Sequence, residues 1–108
     1  MCLTRWGPDY ADPMTYLNMW ITGNNNNYGF WSNADYDAII KSCISGELAL
    51  DATARWAALH DAEKIIMDNM VILPVYQKNN AQMIKANVIG IESHPIALNR
   101  VFKNADIK

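Results

Sequence analysis

The stretch Arg5-Trp6-Gly7-Pro8-Asp9-Tyr10-Ala11-Asp12-Pro13 decides how this chain is read. It sets two carboxylates, two aromatics and two prolines around a single glycine. Gly7-Pro8 breaks any regular element before it, so residues 3–6 are expected as a short strand that ends in a loop. Pro8 fixes the backbone between Trp6 and Asp9. A carboxylate beside a rigid indole suits an organic ammonium group, through charge-assisted hydrogen bonding and cation–π attraction. The same residues also fit a plain structural role, with Asp9 capping a turn and Trp6 filling a core. Residue type alone leaves both readings open.

Outward from that loop the chain is helical. Asp12 is a good N-cap and Pro13 is favoured at a first helical position. Met14, Leu17 and Ile21 then share a face, with Tyr16 and Trp20 beside them, and this helix is expected to end by Gly23. The four asparagines Asn24 to Asn27 resist helix and strand, because their side chains compete for backbone hydrogen bonds. They are expected as a mobile surface loop. The alternative is that the next residues, Tyr28-Gly29-Phe30-Trp31, line part of a cleft.

Ser32 or Asn33 can cap a second helix, whose apolar stripe is Tyr36, Ile39, Ile40, Cys43 and Ile44. Asp37 and Lys41 are spaced for an i,i+4 ion pair on its other side, and Gly46 is placed to end it. Asp51 caps a third helix running to about Asn69. Its buried stripe is expected to be Trp56, Leu59, Ala62, Ile66 and Met70, with Arg55, His60, Glu63, Lys64 and Asp68 in water. The two helices should pack as a hairpin. His60, Asp61 and Glu63 read as a solvated, mixed-charge surface rather than an acid–base or metal site. Short strands are expected at 71–76, interrupted by Pro74, and at 81–85, 88–91 and 100–107. Ser93-His94-Pro95 reads as a turn.

The bulk numbers bound the function. A chain of 108 residues with 51% hydrophobic content is globular and fits one small domain. A net charge of −2 without any basic cluster excludes a nucleic-acid partner. No apolar run is long enough to span a bilayer. Met1-Cys2-Leu3-Thr4-Arg5 lacks the hydrophobic region of a signal peptide, so Cys2 is not expected to be a lipoprotein cysteine. Cys2 and Cys43 are too few for a disulfide framework; a pairing between them is open, with buried free thiols the expectation. His60 and His94 have no cysteine near them, so no zinc site is expected. There is no Ser-His-Asp elbow, phosphate loop or HExxH motif, and the chain is expected to be neither an enzyme nor a holder of a cofactor.

Several motifs fall in an order that resembles one family. Trp6-Gly7-Pro8-Asp9-Tyr10-Ala11-Asp12-Pro13, followed by Tyr16-Leu17, resembles the W-x-x-D-Y-x-D/E-P segment of the extracellular oligopeptide- and dipeptide-binding proteins of ABC importers, solute-binding protein family 5. Tyr28 to Asp37 is similar to that family's Y-x-N-P-E-Y-D segment. Ala62-Glu63-Lys64-Ile65-Ile66 and Ile72-Leu73-Pro74-Val75-Tyr76 resemble its A-E-x-x-L…x-P-V/L-Y segment. The resemblance covers nearly the whole chain and only the last fifth or so of a family member. It therefore implies a C-terminal fragment of a larger protein.

The resemblance implies an α/β chain: the C-terminal part of a two-lobed, class II periplasmic-binding-protein-like fold, with a helix hairpin plus short strands. Residues 1–76 would belong to the C-terminal lobe, 77–80 would form a hinge strand, and 81–108 would be an arm completing the other lobe. Asp9 takes the place of the carboxylate that meets a peptide's N-terminal ammonium, and Trp6 that of its neighbour. Gly7, Pro8 and Tyr28 complete the implied substrate-binding set. The rest of a ligand would be held through its main chain. Lys78 departs from the family, where an aromatic often stands, and Leu3 is not the arginine of some members. The implied function is capture of extracellular peptides for import, with a peptide ligand and an ABC permease as partners and no nucleic acid. The alternatives are a nickel or other solute in the same family, or a small helical interaction module. The place of work would be extracellular or periplasmic, membrane-anchored as a lipoprotein in the full-length protein, with the export signal outside this chain. Unpaired strand edges and exposed apolar surface predict a homodimer of the isolated fragment, with exchange of the 81–108 arm as one form.

Overall fold

A computed structural model describes residues 2–79, 81–94, 96 and 100–108. Three helices come first: α1 (Met14–Leu17), continued by a 3-10 turn at Asn18–Trp20, then α2 (Ala34–Ser45) and α3 (Ala52–Asp68), the last two joined by a 3-10 turn at Glu47–Leu50. Four two-residue strands follow: β1 (Val88–Ile89), β2 (Glu92–Ser93), β3 (Arg100–Val101) and β4 (Asp106–Ile107). β1 pairs antiparallel with β4, Val88 opposite Ile107, and β2 pairs antiparallel with β3, Glu92 opposite Val101. The expected combination of a helix hairpin with short strands is therefore what forms.

Each helix starts where a side chain satisfies its free N–H groups. Asp12 Oδ1 accepts the Met14 N–H at 2.8 Å. Asn33, not Ser32, caps α2 by accepting the Tyr36 N–H at 3.0 Å. Asp51 caps α3 by accepting the Ala54 N–H at 3.0 Å. The core lies between the helices. Tyr36, Ile40 and Cys43 of α2 pack with Leu59, Ala62 and Ile66 of α3, and Met14 and Leu17 of α1 close it. Tyr36 is fully buried; its hydroxyl donates to the Leu17 carbonyl, and Trp31 meets its ring edge-on at 5.1 Å. Burial pushes the Tyr36 phenol well above its ordinary range, so it stays a donor.

Several expectations are corrected. The stripe on α3 is shorter than the sequence suggests: Trp56 and Met70 are exposed. On α2, Ile44 also lies outside. Arg55 is not a solvated residue. Its Nε–H donates to the Cys43 carbonyl at 3.0 Å, and its two terminal nitrogens grip Asp12 at 2.8 and 3.0 Å. Local periodicity carries no sign of a partner so distant in sequence. Asp37 does not pair with Lys41, because its Oδ1 accepts the Thr22 N–H at 3.0 Å. Instead, Lys64 and Asp68 form an i,i+4 pair. Gly46 has φ −101°, not a left-handed conformation. Glycine is required there for space, since a Cβ would sit 2.7 Å from Ser42 Cα.

No strand forms at residues 3–6, 71–76 or 81–85. The single strand expected at 100–107 splits into β3 and β4 around a turn at Lys103-Asn104. Gly90, at φ +73°, lets that turn approach: a Cβ there would lie 1.9 Å from the Asn104 carbonyl oxygen. Pro95, and with it the end of the expected 93–95 turn, falls outside the described residues. Cys43 is buried as expected, but Cys2 is exposed, and both are free thiols.

The chain is elongated. Its radius of gyration is 18.2 Å over extents of 58 × 37 × 21 Å, against about 13 Å for a compact chain of this length. Every residue of the core cluster lies within the helical part. Among the described residues the strand pairs therefore form an arm with no core of its own.

Asp12→Asn is expected to lower stability by on the order of 1–2 kcal/mol at neutral pH, by loss of charge-assisted bonds in a partly buried site. The Arg55 hydrogen bonds hold the Asp12 carboxyl below its ordinary value of 3.8. A depressed folded-state value means this stabilisation is complete above about pH 4 and is lost as pH falls through the lower value. Urea denaturation of both proteins should show the gap closing on acidification.

Candidate functional site

The loop before α1 has no regular secondary structure, so its shape depends on side-chain ties. Thr15, buried in the first turn of α1, supplies two of them. The Trp6 Nε1–H donates to the Thr15 carbonyl at 2.8 Å. The Asp9 N–H donates to Thr15 Oγ1 at 3.1 Å. Trp6, Gly7, Pro8 and Asp9 thus form an arch strapped to the helix start from both ends. Asp12 and Arg55 anchor the residues that follow it.

The two carboxylates of the loop are sorted by this arrangement. Asp12 takes the structural part: it caps α1 and is neutralised by Arg55. Asp9 is exposed, and among the described residues no hydrogen bond or ion pair engages its carboxylate. The turn-capping role open to Asp9 belongs to Asp12. Trp6 is 41% exposed, so it is not a core residue either. Its polar edge is committed to Thr15, which leaves its ring to other contacts. Gly7 is exposed and Pro8 half-buried.

Tyr28 stands apart from the arch, and among the described residues no hydrogen bond joins the two. It belongs to a second ordered turn. The asparagine run, expected as a mobile surface loop, is a loop tied by its own side chains. Asn24 Nδ2 donates to the Asn18 carbonyl at 3.1 Å, and its Oδ1 accepts the Asn26 N–H at 2.8 Å. Asn27 is only 3% exposed. Its Nδ2 donates to the Trp31 carbonyl at 2.7 Å, and its Oδ1 accepts the Trp31 N–H at 3.2 Å. One side chain therefore bridges residues 27–31 as a backbone segment would. The bridge turns Tyr28 and Phe30 outward, Phe30 to 91% exposure at φ +51°. A bulky residue held there is under steric strain. Sequence reasoning missed Asn27 because four identical neighbours share one propensity and only packing distinguishes them.

A groove of about 640 Å³ runs between the loop and the helix hairpin, with Tyr10, Asp12, Cys43, Leu50, Arg55 and Trp56 among its walls. None of Trp6, Gly7, Pro8, Asp9 or Tyr28 lines it. Its charged groups, Asp12 and Arg55, already satisfy each other. Burial pushes the Cys43 thiol up, which keeps it a weak nucleophile. Among the described residues no cluster of His, Cys, Asp and Glu is arranged to hold a metal. Among the described residues the arch carries one exposed, unengaged carboxylate, Asp9, and one partly exposed indole, Trp6, both tied to Thr15.

No protein-family profile matches the chain. Individual proteins do. The dipeptide-binding protein DppE of Bacillus subtilis is 36% identical over 89 residues, which is 82% of this chain and 16% of that protein. A dipeptide-binding protein of Lactococcus lactis is 30% identical over 108 residues, all of this chain and 20% of its own length. The substrate-binding domain of an oligopeptide ABC transporter from Bacillus anthracis superposes with a TM-score of 0.82 at 38% identity, covering 94% of this chain and 20% of that one. The chain belongs to the family of these binding proteins of ABC importers. The chain spans 16–20% of the length of these peptide-binding relatives. Its helix hairpin and short strands are consistent with part of the two-lobed α/β fold expected from the motifs.

Asn27→Ala should lower stability by about 1–3 kcal/mol, because it strips buried backbone groups of their partner. Phe30→Gly should instead raise it by up to about 1 kcal/mol, since glycine relieves the left-handed strain and little buried surface is lost. Thermal unfolding followed by circular dichroism measures both.

Proposed function

We propose that this chain is the substrate-binding part of a peptide ABC importer, in which Asp9 receives the N-terminal ammonium of the peptide. The observation that carries the reading is the sorting of the two loop carboxylates. Asp12 is consumed by Arg55, and Asp9, unpaired among the described residues, is presented on the same strapped arch as Trp6. A peptide's α-amino group is protonated at neutral pH. It can donate to Asp9 while its charge lies against the indole face. Gly7 adds no side chain that would block approach, and Pro8 keeps the arch stiff. Tyr28 offers a second wall from the turn held by Asn27.

Residues 1–76 belong to the C-terminal lobe in this reading, 77–80 to the hinge, and 81–108 to an arm that completes the other lobe. The absence of regular structure at 73–79, and of any core among the described residues of the arm, supports that division. Closure about the hinge would cover Asp9 and exclude water, which strengthens the ion pair. The rest of the peptide would be held by main-chain bonds, giving tolerance for its side chains. The function is capture and delivery without turnover: peptide is bound outside the cytoplasmic membrane by a membrane-anchored protein and passed to a permease. Isolated copies of the chain pair as homodimers, and exchange of the arm is one geometry for this.

The test is a segment exchange. This chain replaces the matching segment of the Bacillus subtilis dipeptide-binding protein, and dipeptide binding is followed by calorimetry. The hybrid should bind a dipeptide and not its N-acetylated form. Asp9→Asn should weaken binding roughly 10–100-fold, as expected for one charge-assisted contact. Unchanged affinity in Asp9→Asn overturns the assignment.

A further inference from the structure

Thr15 holds the arch through two different atoms. Its carbonyl oxygen accepts the Trp6 Nε1–H, and its hydroxyl oxygen accepts the Asp9 N–H. Its own N–H donates to the Asp12 carbonyl at 3.1 Å, inside the turn that opens α1. Asp12 is gripped in turn by Arg55, which is fastened to α2 through the Cys43 carbonyl. One buried residue thus ties both Trp6 and Asp9 to the helical core.

Burial alone does not call for a threonine at that place. Only 2% of Thr15 is exposed, and Met14 and Leu17 on the same short helix are apolar core residues. Valine has the same shape and no hydroxyl to desolvate, so a buried threonine is favoured only where its oxygen has a partner. Among the described residues that oxygen bonds to the Asp9 N–H, six residues back, and to nothing else. Thr15 and Asn27 are the two buried polar side chains of the described residues. Both serve loops: Asn27 shapes the turn that carries Tyr28, and Thr15 shapes the arch that carries Asp9.

We propose that the Thr15 hydroxyl is a positioning group for ligand binding, fixing the Asp9 backbone so that the carboxylate is aimed before an ammonium group arrives. Thr15 touches no ligand and acts through Asp9. The assignment rests on the reading of Asp9 given above. Without the hydroxyl, the part-buried Asp9 N–H loses its partner and the arch is tied to Thr15 only at Trp6. Residues 7–9 then sample more conformations, and the affinity falls with the fraction that remains aimed. The Trp6 tie uses a main-chain oxygen, so the hydroxyl can be removed without deleting it.

The experiment uses the same segment-exchange hybrid, with alanyl-alanine as the probe and calorimetry as the readout. Thr15→Val should weaken binding about 10-fold, with helical circular dichroism unchanged. Thr15→Ser, which keeps the hydroxyl, should restore affinity to within about two-fold of the parent. Where valine prevents folding, Thr15→Ala removes the same hydroxyl and is read in its place. The deciding arm is a double-mutant cycle with Asp9→Asn, which keeps the Asp9 N–H and removes the charge. In that background Thr15→Val should cost less than about two-fold, because the carboxylate it aims is gone. A residue that only stabilises the fold would cost the same in both backgrounds. Equal cost in both, or full affinity in Thr15→Val, overturns the positioning role and leaves the Asp9 assignment intact. Unchanged affinity in Asp9→Asn alone overturns both.

Discussion

The guanidinium of Arg55 is the joint on which this molecule depends. It sits on α3, reaches the last turns of α2 through the Cys43 carbonyl, and grips the carboxylate that opens α1. One planar, multi-donor group thereby ties all three helices at a single point. An arginine suits this because its fork matches a carboxylate in two parallel bonds while its Nε–H remains free for a third. The pair is shielded but not sealed, with 18% of the Arg55 side chain and 28% of Asp12 still exposed. Desolvation therefore opposes the pair less than it would in a dry interior.

That joint also sets the chemistry of the loop before it. Because Asp12 is taken up by Arg55, the remaining carboxylate on the loop is a different kind of group: exposed and, among the described residues, unengaged. Thr15 then gives the loop its shape, holding the Trp6 indole by its carbonyl and the Asp9 backbone by its hydroxyl. A segment with no regular structure is tied into an arch by two polar groups from the first turn of a helix. In the proposed reading, pre-formed geometry of this kind would lower the entropy lost when a cationic group docks.

The arm is built on a different principle. Its ladders are two residues long, and among the described residues its side chains are mostly exposed and none joins the core. Short ladders do not bury enough surface to offset the entropy of ordering a chain. The peptide-binding relatives are five to six times longer than the segment matched here. An arm with open edges and a helix face with an exposed tryptophan are what a chain shows when part of its natural packing comes from elsewhere.

Local patterns were enough to place the helices, because capping and apolar spacing act within a few residues. Asp12, Asn33 and Asp51 mark three helix starts, and the stripes Tyr36–Ile40–Cys43 and Leu59–Ala62–Ile66 mark the facing sides of the hairpin. The order of motifs was enough to indicate the family. The sequence alone could not say which loop aspartate is free, that Asn27 rather than its three neighbours is buried, or that Arg55 leaves the solvent. Nor could it say that Trp56 stays outside while sharing the helical spacing of core residues. Each of these depends on a partner far away in the chain, and a charged or amphipathic side chain takes its role from whichever group the fold brings to it.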